Sequence, residues 1–299
     1  MSTEFISFLP PPGRSIANYD RTAPSTAQPA SIPSTFKEAM SIREEVFVRE
    51  QHVPLENELD ADDARSFHWV VYASVSTSSP PPSRAQHHHP STQPGAGASD
   101  GRDRRRSSAS SRRASTSTAS RVAVGTIRLV PPPHPPHPAP GSRHAIDDRE
   151  AAAAAAPRDR PTAKHDGREP YVKLGRLAVL PAYRGLGLAR LLINAALEWA
   201  ARSAAAILPP PDPAAAEAAR EHARAEGRGA DDVAALESWR GLALVHAQRP
   251  AADRLWARFG FELDEGMGAW WEEGIEHVGM WRRIAVREDA RRMSLGGGG

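Results

Sequence analysis

Residues 183–192 read YRGLGLARLL: an arginine leads into two alternating glycines, and a leucine-rich run follows without a break. Just upstream, residues 171–180 (YVKLGRLAVL) read as a strand, with Gly175 marking a bulge or a point of close backbone approach. Downstream, Leu188, Leu191, Leu192, Ala195 and Trp199 keep helical spacing. The stretch is therefore a turn that leaves a strand and opens a helix. A helix N-terminus presents unpaired N–H groups at the positive end of its dipole, which suits an anion. Glycine lets the backbone approach that anion without a Cβ in the way. Two readings stay open on these residues: a tight turn with glycine for packing, or a loop shaped around phosphate. The third glycine of a dinucleotide fingerprint is missing, and no Gly-Lys-Ser/Thr follows as in a P-loop.

Working outward, residues 4–9 read as a short strand closed by Pro10, Pro11 and Pro12, and a Ser/Pro/Ala linker follows. Thr35 and Glu38 form a capping-box pattern ahead of a helix over residues 35–50, with Phe36, Ala39, Met40, Val46 and Phe47 near one face. Strands are predicted at residues 67–74, 122–130, 242–248, 261–263 and 277–284. Pro250 opens a short helix that Gly260 ends. The order predicts a mixed α/β sheet with helices packed on it. Its ordered parts are expected at residues 3–9, 34–74, 121–130, 170–202 and 240–286. Three insertions, residues 75–120, 131–169 and 203–238, read as disordered, and residues 287–299 as a loose tail.

Composition agrees with one interrupted domain. The 299 residues include 28 prolines and 22 glycines, and 6% of residues are aromatic, so much of the chain cannot be packed core. The net charge of +2 does not by itself indicate a nucleic-acid binder. No cysteine is present, which excludes disulfides, thiolate metal sites and an acyl-cysteine intermediate, and suits an intracellular setting. The first residues lack the basic start and apolar run of a secretory signal. No stretch approaches the roughly 20 apolar residues of a membrane helix, so no membrane contact is expected.

The run from Arg184 to Ala189 resembles the Arg/Gln-x-x-Gly-x-Gly/Ala signature of the GNAT superfamily of acyl-CoA N-acyltransferases. RLWARFGF at residues 254–261 resembles that family's late aromatic-x-x-x-Gly-Phe segment. IREEVFVREQHVPLENELDADD at residues 42–63 and EEGIEHVGM at residues 272–280 resemble the two ends of one branch of small GNAT proteins. The resemblance covers the segments read as folded and none of the insertions. It implies N-acetyl transfer from acetyl-CoA to a primary amine, by direct attack. It implies that backbone N–H groups of Arg184, Gly185, Leu186, Gly187, Leu188 and Ala189 hold the pyrophosphate. It also implies that Leu177, Ala178 and Val179 bind the pantetheine arm, and that a strand N–H polarises the thioester carbonyl.

The acid/base pair departs from the family pattern. The resemblance implies a tyrosine four residues before Gly260, and Trp256 stands there; an indole N–H is no general acid. It also implies a glutamate on the strand before the loop, and residues 171–180 contain no carboxylate. His246, near the end of the next strand, is the substitute base, because imidazole titrates near neutrality. Glu58 and Asp60, with Glu50, are placed on the acceptor side, to recognise or deprotonate an amine. Glu272, Glu273 and His277 near the last strand are further candidates, and Trp270 and Trp271 could wall an acceptor pocket.

His87, His88, His89, His134 and His137 fall in low-complexity tracts; they could bind a metal there, but no metal is expected at the site, because a fixed catalytic centre needs supporting structure around its ligands. The arginines of residues 102–113 could bind nucleic acid or serve as a nuclear address, but no aromatics interleave for base stacking. The acceptor is expected to be a small molecule. Two alternatives stand beside this reading: an acyl-CoA-binding scaffold with weak or lost catalysis, and a nucleic-acid-associated protein acting through the arginine tract.

Overall fold

The computed structural model describes residues 5–76, 119–144, 159–208 and 239–287, together with Glu217 and Glu221. The arginine tract, the histidines at 87–89, the alanine run and residues 288–299 of the C-terminal tail lie outside the described residues. Residues Met1–Ala73 and Ala123–Gly299 make one compact unit and Ser74–Val122 another.

Nine strands form the sheet: β1 (Ile6–Leu9), β2 (Phe67–Ser76), β3 (Ala119–Val130), β4 (Arg143–His144), β5 (Val172–Val179), β6 (Leu242–Gln248), β7 (Glu262–Leu263), β8 (Ala269–Glu272) and β9 (Ile275–Arg283). Their order is β1-β2-β3-β5-β6-β9-β8-β4, with β7 paired to β9. The sheet is mixed: β5 and β6 run parallel, while β3–β5, β6–β9 and β8–β9 are antiparallel. Helix α1 (Ser34–Arg43) continues into a π-helical segment, Glu44–Glu50. Helix α2 (Leu188–Arg202) follows the glycine turn, α3 (Ala204–Ile207) is a single turn, and α4 (Arg249–Arg254) leads into Trp256–Phe259.

Helix α2 buries Leu192, Ile193, Ala196, Leu197 and Ala200, an i, i+1, i+4, i+5 stripe that matches helical periodicity. Val70, Ala178, Ala39, Ile42 and Val46 form one core cluster. Tyr171, Leu242, Leu244, Met267, Trp270 and Trp281 form a second.

Strand β5 is bulged. Thr126 lies opposite Ala178, and Arg128 opposite Gly175, so β3 advances two residues where β5 advances three. The left-handed residue of the bulge is Arg176, at φ 50°, rather than the expected Gly175. Such a conformation costs on the order of 1–3 kcal/mol for a side-chain-bearing residue. Arg176 is held there by Asp60, 2.9 Å from its Nη2.

That ion pair belongs to a buried knot. Arg43 on α1 donates from Nε to Glu58 Oε1 (2.6 Å) and grips the Asp63 carboxylate through Nη1 (2.7 Å) and Nη2 (3.0 Å). Arg128 on β3 grips Asp60 in the same bidentate way, at 2.6 and 2.9 Å, and also reaches Asp63 at 2.7 Å. Burial alone would raise the Asp63 carboxyl, but Arg43 and Arg128 outweigh it and hold it well below the usual carboxylate range. His68 lies against the knot, with Nε2 donating to the Asp63 carbonyl at 3.0 Å.

Four expectations are corrected. Residues 10–33 are not a bare linker: Ile16, Tyr19 and Ile32 are buried against Phe36 and Met40. The capping box does not form, because α1 begins at Ser34 with no side-chain cap, and Glu38 instead accepts the buried Tyr72 hydroxyl at 2.6 Å. The insertion at residues 131–169 is built into the fold on both flanks. Its His134 stacks on Tyr171 (centroids 4.5 Å apart) and its His165 on Trp281 (4.8 Å), so ring packing replaces the aliphatic burial that hydropathy looks for. The insertion at residues 203–238 begins inside the fold too, with Ile207 of α3 buried.

Burial pushes the His68 imidazole down to about 4, against the pull of Asp63. The folded state thus favours neutral His68, and the unfolded chain takes up the proton near its ordinary 6.5. Stability is full above pH 6.5 and is lost as pH falls toward 4, by roughly 3 kcal/mol from this group. Urea unfolding midpoints should fall across that window, and His68→Gln should flatten the fall. An equal slope in the variant contradicts the assignment.

Candidate active site

Strands β5 and β6 begin as partners and then part. Val172, Lys173 and Leu174 pair with Ala243, Leu244 and Val245, and there the pairing ends, although β5 continues to Val179 and β6 to Gln248. On its other edge β5 stays paired, with Ala178 opposite Thr126 and Val179 opposite Gly125. The edge of β5 that would meet β6 therefore presents main-chain groups to an opening. A cleft of about 730 Å³ lies there, and its walls include Leu177, Asp60, Arg176, His246, Glu272 and Glu273. That volume is within the range of small-molecule sites.

The glycine turn caps the same strand. Gly185 and Gly187 sit at φ 81° and 77°, in the left-handed region that disfavours side chains, and Gly187 is the N-cap of α2. A Cβ built on either glycine meets no heavy atom within 4 Å. Their role is conformational, and no neighbour packs into the space they leave. Gly187 supplies no side-chain cap, so the first N–H groups of α2, including those of Leu188 and Ala189, have no capping side chain. Leu186 is 68% exposed beside them. Arg184 donates from Nε to the Val179 carbonyl (3.0 Å) and through both Nη atoms to the Glu50 carboxylate (2.8 and 2.5 Å). The hydrogen bond from Arg184 lowers the Glu50 carboxyl. Glu50 is thus a partner of the loop rather than a group on the acceptor side.

His246, on the freed end of β6, has its Nδ1 3.3 Å from Glu272 Oε1, and Glu272 Oε1 also accepts the Trp270 indole N–H at 2.8 Å. Trp270 is fully buried and so anchors the carboxylate. Neither Trp270 nor Trp271 is among the residues that wall the cleft; Trp271 lies under the Arg143 guanidinium at 4.8 Å. Trp256 does wall it, packed edge-on against Phe261 at 5.3 Å. Glu58 and Asp60 border the cleft as expected, but they are knot members: Glu58 is held by Arg43, and Asp60 by Arg128 and Arg176. The structure brings His246, Glu58 and Asp60 around one cleft, and gives His246 a carboxylate partner in Glu272. His134 also walls the cleft, and burial lowers its imidazole well below the ordinary value.

Residues 119–223 match the family model described as the acetyltransferase (GNAT) family. Over that segment the chain is similar to the GNAT acetyltransferases. The matched segment holds β3, β5, the glycine turn and α2, and the chemistry of GNAT proteins is N-acyl transfer from an acyl-CoA. A solved structure of a putative N-acetyltransferase from Lactobacillus plantarum is similar at 17% identity and a TM-score of 0.38, covering 84% of this chain and 92% of that one. An acyl-CoA N-acyltransferase from Pseudomonas aeruginosa is similar at 15% identity and a TM-score of 0.34, over 93% of this chain and 99% of that one. ElaA from Escherichia coli is similar at 14% identity and a TM-score of 0.36, over 87% and 95%. No curated protein matches in sequence. No helix among the described residues is long and apolar enough to cross a membrane.

The Arg184–Glu50 pair is half-exposed, and such pairs contribute about 0.2–1 kcal/mol. Glu50→Gln should release Arg184 to meet an anion at the α2 N-terminus. Inorganic pyrophosphate should then bind roughly two- to five-fold tighter by calorimetry at low salt. Weaker binding in the variant contradicts this role.

Proposed function

We propose that this chain is an N-acetyltransferase that moves an acetyl group from acetyl-CoA to the primary amine of a small molecule. The observation that carries the reading is the parting of β5 from β6 beyond Leu174 and Val245, with the glycine turn on one strand and His246 on the other. The pyrophosphate would rest on the N–H groups of Arg184, Gly185, Leu186, Gly187, Leu188 and Ala189, where both glycines leave open space. The pantetheine arm would run along the free edge at Leu177, Ala178 and Val179, continuing the sheet by main-chain hydrogen bonds. One N–H of that edge would polarise the thioester carbonyl, where negative charge develops.

The acceptor amine would occupy the cleft. Its nitrogen attacks the thioester carbon, the C–S bond breaks, and the proton lost by nitrogen passes to His246. Glu272 orients the imidazole by accepting from Nδ1–H, so that Nε2 takes that proton. Trp256 offers no acidic proton, so the CoA thiolate is protonated by the imidazolium or by water. Glu58 and Asp60 act here as positioning residues, holding the cleft wall through Arg43, Arg128 and Arg176. The cleft volume and its mixed charged walls support a small polar amine over a peptide.

Trp256 favours a second reading, an acyl-CoA-binding scaffold without efficient turnover. Steady-state thiol release across an amine library separates the two. His246→Gln should lower kcat by about 10²–10³-fold with acetyl-CoA affinity unchanged. Turnover equal to wild type would remove His246 from the chemistry, and tight acetyl-CoA binding without turnover on any amine would favour the scaffold.

A further inference from the structure

Outside the cleft, the two described flanks of the 131–169 insertion meet at a buried His/Asp cluster. His137 comes from one flank, and Asp159 and His165 from the other. One ligand-competent atom of each lies within 4.8 Å of those of the other two. The side chains of His137 and His165 are each 1% exposed, and that of Asp159 is 8% exposed. None of the three is among the residues that wall the cleft.

The donor chemistry is that of a metal site. His165 Nε2 lies 2.9 Å from the Glu169 carbonyl, which can only accept, so Nε2 carries the proton. In the neutral ring Nδ1 then holds a lone pair, and it is buried with no hydrogen-bond partner among the described residues. A carbonyl that fixes the tautomer of a ligating histidine is a recurrent outer support of metal sites. Asp159 is oriented in the same manner: Oδ1 accepts the His137 backbone N–H at 2.7 Å, and Oδ2 accepts the Tyr171 hydroxyl at 3.0 Å. His137 Nε2 stands 3.0 Å from Oδ2. A tetrahedral zinc ion with bonds of about 2.0–2.1 Å sets its ligand atoms about 3.3 Å apart, so the cluster would need to draw in by the order of an ångström.

We propose that His137, Asp159 and His165 bind one divalent cation of the zinc class, with the fourth position taken by water. Two imidazoles and a carboxylate, without thiolate, suit zinc and its first-row neighbours over magnesium or calcium. The ion joins the two described flanks of the insertion, one carrying His137 and the other Asp159 and His165. It also fixes Pro133, His134, Pro135 and Pro136, which wall the cleft. Its role is structural: it pins the insertion to Tyr171 and Trp281, on which the two histidines pack.

The test uses tag-free full-length protein, stripped with chelator and titrated with zinc chloride. One equivalent of zinc should survive gel filtration, and the thermal midpoint should rise by roughly 5 °C at saturating zinc. Asp159→Asn and His165→Asn should each abolish both effects. The triple change His87→Ala, His88→Ala, His89→Ala should leave them intact, which separates this cluster from the histidine run. Cobalt(II) on wild-type protein should give the intense visible bands of a tetrahedral site, a readout independent of any variant. No retained zinc, zinc lost only with the 87–89 change, or an octahedral cobalt spectrum would each overturn the proposal.

Discussion

A guanidinium withdrawn from water is costly unless carboxylates of matching geometry are withdrawn with it, and this fold withdraws three. Arg43, Arg128 and Arg176 meet Glu58, Asp60 and Asp63 in a charge-balanced knot. Arg43, Glu58 and Asp63 are almost fully buried, so removing one of them leaves an unpaired charge out of water. The knot ties α1, the acidic loop of residues 58–63, β3 and the bulge of β5 to one another. It also provides the compensation for Arg176 at positive φ. Without the Asp60 contact, a bulge carried by a long side chain would have little to hold it.

From that bulge the rest of the cleft follows. An extra residue in β5 turns the strand away from β6, and the pairing stops at Leu174. One strand then continues into the glycine turn and α2, while the other carries His246. His246 thus walls the cleft from β6, while β5 leads into the turn proposed to hold the anion. The acidic loop closes one wall of that opening and the flank of the 131–169 insertion another.

Much of this was legible in the residues. Strand β6 and the glycine turn into α2 were read where they stand, because an apolar run and glycine position are local signals. The knot was not. Asp60 and Glu58 were read as acceptor-side acids, since a sequence does not reveal that arginines 43, 128 and 176 converge on them from three other elements. The insertion failed for a different reason: Pro/His-rich segments read as solvated, and the imidazoles at 134, 137 and 165 bury themselves by packing on Tyr171 and Trp281. The Glu272 partner of His246 was named as a residue, but its pairing arises from β8 lying two strands from β6, across β9.

The central claim is that the α2 N-terminus holds the pyrophosphate of acetyl-CoA. Calorimetric titration of acetyl-CoA into wild type, Gly187→Ala and Gly187→Glu tests it most directly. Both variants carry the same left-handed backbone strain, so only the added carboxylate separates them. The account predicts micromolar binding in wild type, a moderate loss in the alanine variant and none detectable in the glutamate variant. Equal binding in the two variants, or no binding in wild type, would contradict it and leave the turn a turn.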